Sequence, residues 1–317
     1  MPEPAVSVVV ATHDRPQRLA RLFDGLREQD LPLDSFEVVV VDDGSGPDTD
    51  AVLQREQARA SLNLRWERNE RAQGPGGARN RGWRAAGAQL IAFTDDDCVP
   101  APAWLRRGLE AHLRDPAAIV QGRTQPDPAE LHLAGVFSRT LTIEELGPHY
   151  ETCNIFYPRE LLEHLEGFDE GFGLRPGGED IDLAWRAIEL GRPTRFEPDA
   201  LVHHAVERLG PVGTLRGATR WTETVRVFAR HPQTRAVILE RGIFWSGWHY
   251  LVVRSLIALA LPRPLRRFLL MRHAMTLRAR ALEMGAGAWA VPYLALHDVL
   301  ELYGVSRGAL RHRTLVI

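Results

Sequence analysis

Three consecutive aspartates, Asp95, Asp96 and Asp97, follow the apolar run LIAFT and precede Cys98. Three carboxylates at the tip of a buried strand repel one another strongly unless a cation lies among them. Hard divalent ions take carboxylate oxygens and share their remaining positions with phosphates. The carboxyl ends of strands in an open α/β sheet are also where such folds bind ligands. Alone, the run reads as a solvated acidic turn ahead of a helix starting near Pro102. Four other segments change that reading: ATHDR at residues 11–15, DDGS at 42–45, GPGGARNRG at 74–82 and GGEDID at 177–182. Each taken singly is weak. An Asp-Asp-Gly-Ser turn is usually only a turn, GPGGARNRG does not fit the G-x-G-x-x-G dinucleotide pattern, and acidic residues favour helix N-termini in general.

The elements that must carry these clusters are legible from periodicity. Residues 6–11 and 37–41 are β-branched and nearly uninterrupted, as buried strands are. Pro16 opens a helix whose Leu19, Leu22, Phe23 and Leu26 recur at helical spacing. A helix around 50–60, a strand around 62–66 and a helix around 78–87 lead to the strand before the triple aspartate. Further strands are expected at 119–122 and 153–157, and a helix at 179–191. Between about 124 and 151 the pattern supports only loops with a short helix. Strand–helix alternation at this spacing predicts an α/β fold with a mainly parallel sheet flanked by helices, and it puts every cluster at an element tip.

Composition removes several chemistries. All 39 basic residues are arginine. Without lysine there is no Schiff base, pyridoxal anchor or P-loop lysine, so phosphate must be met by arginine, backbone amides or metal. Two cysteines without Cys-x-x-Cys spacing argue against zinc and a disulfide framework. The opening MPEPAVSVVV shows no signal peptide, which makes the cytoplasm the expected compartment.

The net charge of −2 hides an asymmetry. Residues 1–239 carry 28 arginines and 37 acids, a balance of −9, whereas residues 240–317 carry 11 and 4, a balance of +7. This division predicts a catalytic domain over 1–239, with halves near 1–122 and 123–239, and a basic helical region over 240–317. Residues 243–261 form a 19-residue apolar run, but Arg254 near its middle argues against a membrane span. After it, Leu265, Phe268, Leu269, Met275 and Leu282 alternate with Arg266, Arg267, Arg272, Arg278 and Arg280. Such a helix suits either peripheral contact with an anionic membrane or packing against the acidic body. Nucleic acid is not an expected partner of an acidic body.

In order and spacing, these segments resemble the family 2 glycosyltransferases and their GT-A, Rossmann-like nucleotide-sugar fold. SVVVATHDRPQRL is similar to that family's opening strand and turn, with Asp14 where asparagine is more usual. VVVVDDGSG and GPGGARNRG resemble its second and third motifs, and LIAFTDDDCVP its D-x-D segment. NIFYPRELLEHLEGFDEGFG with GGEDIDLAWRAIELG resembles its acceptor-side and Glu-Asp segments. The resemblance covers roughly residues 5–205.

Residue by residue, the resemblance implies that Asp43 together with Asp42 contacts the nucleotide base, with Thr12 and Asp14 lining the same pocket. Arg79 is expected near the diphosphate, and Asp95, Asp96 and Glu179 among the donor-binding residues. Asp97, Asp95 and His204 are expected to hold Mn²⁺ or Mg²⁺, although His203 beside His204 leaves that register open. Asp180 is the implied catalytic base. The reaction so implied moves a sugar from an NDP-sugar, with UDP favoured, to a hydroxyl on a glycan, a lipid-linked glycan or a small molecule. One base facing one leaving group gives inversion. Two other readings stay open: a metal-dependent phosphoesterase built on the triple aspartate, and a non-catalytic membrane-docking protein. The expected location is the cytoplasm or the inner face of the cell membrane.

Overall fold

The computed structural model describes residues 3–174 and 177–317. The chain forms two compact units, one of Met1–Leu131 with Thr140–Val206, the other of His132–Arg139 with Glu207–Ile317.

The first unit is built on one eight-stranded sheet. Its first half is parallel: β1 (Val6–Thr12) lies between β2 (Phe36–Asp42) and β4 (Leu90–Asp95), and β3 (Leu64–Arg68) flanks β2. β1 and β2 are buried on both faces, which explains their valine-rich runs. The connecting helices are α1 (Pro16–Arg27), α2 (Pro47–Arg59) and α3 (Pro75–Ala85), each with proline in its first turn. Beyond β4 the sheet becomes mixed. It continues through β8 (Asn154–Pro158), β6 (Ile119–Pro126), β9 (Thr194–His204) and the short β5 (Cys98–Pro100). β8 is antiparallel to β4 and β6, β6 is parallel to β9, and β5 is antiparallel to β9. The expected α/β sheet flanked by helices is thus present, parallel where the first three tips converge and mixed on the far side.

Two features of this half were not expected from the sequence. β5 begins directly after the triple aspartate, and β6 runs past residue 122 through a register shift between Gly122 and Arg123. A Cβ on Gly122 would lie 2.4 Å from Ala200 O and from Asn154 Oδ1, so the bulge tolerates only glycine there. Asn154 is fully buried and holds the bulge. It donates to Arg123 O at 2.7 Å and Ala200 O at 2.8 Å, and accepts from Trp104 Nε1 at 2.8 Å. Trp104 opens α4 (Trp104–Arg114) and packs on Phe156. On the other sheet face, α5 (Arg159–His164) and α6 (Glu179–Glu189) bury Leu161, Leu162, Leu183 and Ala184 against Val9, Phe93 and Tyr157.

The second unit pairs β7 (Ser138–Arg139) with β10 (Glu207–Arg208) and is otherwise helical. Its helices are α7 (Gly210–Ala218), α8 (Val225–Arg230), α9 (Thr234–Ile238), α10 (Gly247–Leu259), α11 (Arg263–Glu283) and α12 (Ala290–Arg311). Val225, Phe228, Leu239, Val305 and Val316 form one small core, and Leu277, Ala281, Ala286, Ala290 and Leu294 another. The apolar run at 243–261 is helical only from Gly247. Among the described residues no helix is long and apolar enough to cross a membrane.

Asn154→Leu keeps the branched shape of the buried side chain but removes its hydrogen bonds with Trp104 Nε1 and two carbonyls. It should lower the unfolding free energy by about 2–4 kcal/mol, read from the midpoint of urea unfolding at unchanged m-value.

Candidate active site

Strand register brings the clusters of the first unit together. Thr12 pairs with Asp42 and Ala11 with Asp95, so the ends of β1, β2 and β4 share one edge. Thr12 Oγ1 donates to Asp96 Oδ2 at 2.7 Å. Arg15 Nη1 reaches Asp97 Oδ2 at 2.6 Å and Asp96 Oδ1 at 3.2 Å. Arg79, almost wholly buried, reaches Asp95 Oδ1 with Nη2 at 2.7 Å and Glu179 Oε1 with Nη1 at 3.4 Å, its guanidinium 5.8 Å over the Phe168 ring. Each of the three adjacent carboxylates therefore meets a cation. Arg15 was not singled out by sequence reasoning. The signal for it is the pairing of β1 with β4, which puts the residues after Thr12 within reach of those after Asp95.

The histidine is placed by β5. Its antiparallel pairing sets Cys98 against His204 and Val99 against His203, and Ala205 N donates to Asp97 O at 2.9 Å. His204 Nε2 then faces Asp97 Oδ1 at 3.6 Å. His204 Nδ1 is 2.9 Å from Ala205 O, which can only accept, so Nδ1 carries a proton and Nε2 is the ring atom turned toward Asp97. Asp97 Oδ1 is buried and has no hydrogen-bond partner among the described residues. A carboxylate oxygen and an imidazole nitrogen that face each other in this way are a donor pair that fits a divalent cation. Cys98 Sγ lies within 4.8 Å of both atoms, but burial pushes its thiol well above the usual range and keeps it neutral. Oxygen and nitrogen donors with further positions left for phosphate and water suit Mn²⁺ or Mg²⁺ better than a soft metal.

Protonation follows the same contacts. Burial raises the Asp95 carboxyl, but Arg79 outweighs it and holds the group below its ordinary value. Burial pushes Asp96 up to about 7, opposed by Arg15 and the Thr12 hydroxyl and reinforced by Asp97 and Asp95. Asp180, half-buried in the first turn of α6, is pushed up to about 8 by burial and by the charges of Glu179 and Glu151, against Arg79. Glu179 is tied by Arg79 and accepts from Gly177 N at 2.8 Å. The hydrogen bond of Asp180 is to its own neighbour, Ile181 N, at 3.2 Å. α6 itself is anchored by buried Asp182, which receives Arg186 Nε at 2.9 Å, while the same guanidinium donates to Leu165 O and Gly167 O.

The remaining sequence-derived residues organise the loops. Asp42 Oδ1 accepts from Ser45 N at 2.9 Å, and its Oδ2 faces Arg68 at 3.5 Å. Asp43 accepts from Asn69 Nδ2 at 2.7 Å and from Gln73 N and Gly74 N at 2.9 Å, folding the loop that leads into α3. Gly74 ends that loop at φ +87°, and a Cβ there would meet Gly173 O at 2.4 Å. Asp14, at φ +52°, accepts from Gly46 N at 2.7 Å and donates its own N–H to Ser45 Oγ. Its contacts lie in the turn after β2, whereas Thr12 points into the triple aspartate. His203 lies one register position from His204, its ring pushed below the usual range by burial.

Fold and site together match a known class. The model of glycosyl transferase family 2 covers residues 7–165, and the chain belongs to that family. A pre-mycofactocin glycosyltransferase of Mycobacterium tuberculosis is 28% identical over 256 residues, 77% of this chain and 52% of that protein. A validoxylamine A glucosyltransferase of Streptomyces hygroscopicus is 30% identical over 225 residues, 60% of this chain and 53% of its own. The chain thus spans about half the length of these relatives. Among solved structures, the mannosyltransferase PcManGT of Pyrobaculum calidifontis, in complex with GDP-Man and Mn²⁺, superposes with a TM-score of 0.63 at 22% identity, over 98% of this chain and 87% of that one. S. aureus TarS 1–349 with UDP-GlcNAc gives 0.56 at 19%, over 98% and 92%. The fold is that of the GT-A glycosyltransferases.

Asp97→Asn and His204→Ala should each weaken Mn²⁺ binding about tenfold or more, measured by calorimetry in the presence of a nucleoside diphosphate. Unchanged affinity in both variants would remove these two residues from the cation site.

Proposed function

We propose that this chain is an inverting, metal-dependent glycosyltransferase that moves a sugar from an NDP-sugar to an acceptor hydroxyl. One observation carries the reading: two carboxylates of one site have different surroundings. Asp97 faces His204 Nε2 and forms the cation half, whereas Asp180 at the start of α6 accepts from Ile181 N and, among the described residues, has no hydrogen bond from arginine.

Asp97 and His204 would hold the cation, with Asp95 and Asp96 beside it, and when bound it would neutralise charge on the departing diphosphate. Arg79 and Arg15, which stay charged at any accessible pH, supply further positive charge at that edge. Thr12 fixes the Asp96 carboxyl. Asp42, Asp43 and Asp14 shape the nucleotide pocket by setting the two loops after β1 and β2, and Glu179 steadies Arg79. Asp180, with its proton affinity raised toward neutrality, is matched to take the proton of the acceptor hydroxyl as it attacks. A single base opposite a single leaving group gives inversion.

The resemblance favours UDP as the nucleotide, and one solved relative carries UDP-GlcNAc while another carries GDP-Man. The acceptor is a glycan, a lipid-linked glycan or a small molecule. The basic region over 240–317 adds peripheral contact with an anionic membrane, at the cytoplasmic face where a lipid-linked acceptor would be met.

Asp180→Asn should lower transfer by about 10²–10⁴-fold with little change in donor affinity. Because the base must be ionised, kcat/KM of the parent enzyme should rise with pH and level off above about 8. That limb should be absent from the residual activity of Asp180→Asn. Collapse of donor binding with high residual turnover would make Asp180 a structural residue instead.

Nucleoside diphosphates with Mn²⁺ should raise the thermal midpoint, by the equivalent of about 2.7 kcal/mol at a hundredfold excess over Kd. UDP should give the largest shift. A larger shift with GDP would reassign the donor, and chelator should abolish either one.

A further inference from the structure

Outside the small apolar cores of the second unit, large apolar side chains remain exposed on α10 and α11. α11 exposes Leu265, Phe268, Met271, Met275 and Leu282 at three-, four- and seven-residue intervals along one stripe, with Phe268 50%, Met271 58% and Met275 63% exposed. The end of α10 adds exposed Leu256, Ile257 and Leu259. Between the helices lie polar groups. Ser255 Oγ meets His273 Nδ1 at 2.7 Å, Arg280 Nη1 donates to Asp298 Oδ1 at 2.8 Å, and His249 Nε2 meets Glu301 Oε2 at 3.2 Å. His249 and Asp298 are fully buried. Arg280, one of the arginines that alternate with the apolar positions in the sequence, turns inward to Asp298, and Leu269 is half-buried.

A helical unit in water puts its large apolar side chains inside and leaves scattered ones outside. Here a continuous apolar stripe faces outward over a hydrogen-bonded polar seam, so the stripe needs an apolar partner. The chemistry of that partner is set by the flanks. Arg263, Arg267, Arg272 and Arg278 are exposed along α11, and the only acid on the helix is Glu283 at its last position. A second copy of this chain would bring the same arginines against these. A bilayer surface offers acyl chains for the stripe and phosphates for the guanidinium groups. The helices are too short and too polar to cross it, which leaves a position in its interface.

We propose that α10 and α11 form a hairpin that seats in the interface of an anionic bilayer, with the stripe from Leu265 to Leu282 entering the acyl boundary and the arginines contacting lipid phosphates. This deepens the membrane contact of the proposed function and rests on that reading only for the choice of leaflet. Attachment is then chiefly apolar, with charge selecting the lipid.

Flotation of the full chain with phosphatidylcholine vesicles, with and without phosphatidylglycerol, tests it at low and high salt. Binding should be strongest with phosphatidylglycerol and should persist in part at high salt, because apolar burial is not screened. A Phe268→Ser, Met271→Ser, Met275→Ser variant replaces exposed side chains only. It should keep its thermal midpoint and lose about tenfold or more in vesicle partition. An Arg267→Ser, Arg272→Ser, Arg278→Ser variant should lose the preference for phosphatidylglycerol. The inference is overturned if the full chain ignores phosphatidylglycerol vesicles at low salt. It is equally overturned if light scattering shows a dimer that the triple serine variant converts to monomer. UDP and Mn²⁺ binding measured on the same samples separates the two readings: nucleotide binding without flotation overturns only the hairpin, and flotation without nucleotide binding overturns only the catalytic proposal.

Discussion

The mutual repulsion of three adjacent carboxylates is the constraint on which the rest of the catalytic unit depends. Two like charges a few ångströms apart in a poorly hydrated site cost several kcal/mol, and no local rearrangement of residues 95–97 relieves that. Relief comes from three residues elsewhere in the chain. Arg15 follows β1, Arg79 lies on α3 and Thr12 ends β1. Arg15 and Thr12 reach the cluster because the sheet order sets β1 beside β4, and the same order sets β9, with His204, beside β5. The site is thus a device for assembling charge, and the fold is its scaffold. The absence of lysine fits that use, since guanidinium groups fork between two carboxylates and do not lose their charge when buried.

Local chemistry made half of this legible in the sequence. The strands β1 and β2 announce themselves by nearly uninterrupted β-branched residues and β4 by a short apolar run, as strands covered on both faces do. α1 is marked by Pro16 and its leucine spacing. What stayed hidden depends on pairing across distance. β5 is three residues long, and it exists because β9, about a hundred residues later, offers an edge to it. The ambiguity between His203 and His204 is of the same kind: adjacent residues of a strand point to opposite faces, and only the Cys98–His204 register says which one meets Asp97. The turn aspartates show the reverse case. Asp14, Asp42 and Asp43 were visible as a motif, but their spacing did not reveal that free backbone N–H groups of the adjoining loops already occupy much of their carboxylates.

The two units handle buried charge differently. In the first, arginine and aspartate meet at the ends of the parallel strands, and Asp97 Oδ1 is left without a partner among the described residues. In the second, Arg280 and Asp298 or His249 and Glu301 are paired within a helical seam, and what is left exposed is apolar surface instead. Sequence pattern alone does not separate Arg280 from the other arginines of α11, because helical spacing counts charges on a face without knowing which of them meets a partner acid.

The hydrogen bond from Ala205 N to Asp97 O, together with that between His204 Nδ1 and Ala205 O, has a consequence for how such a site can diversify. The spacing of the two cation-facing side chains is written in peptide groups, which every amino acid shares. Mutational drift around the pocket can therefore reshape what is admitted without disturbing this pair. The opposite wall has no such insurance, since Arg79 and Glu179 hold α6 in place through their side chains, where one substitution shifts the geometry. A change at either residue is thus felt along the first turn of α6, where Asp180 lies.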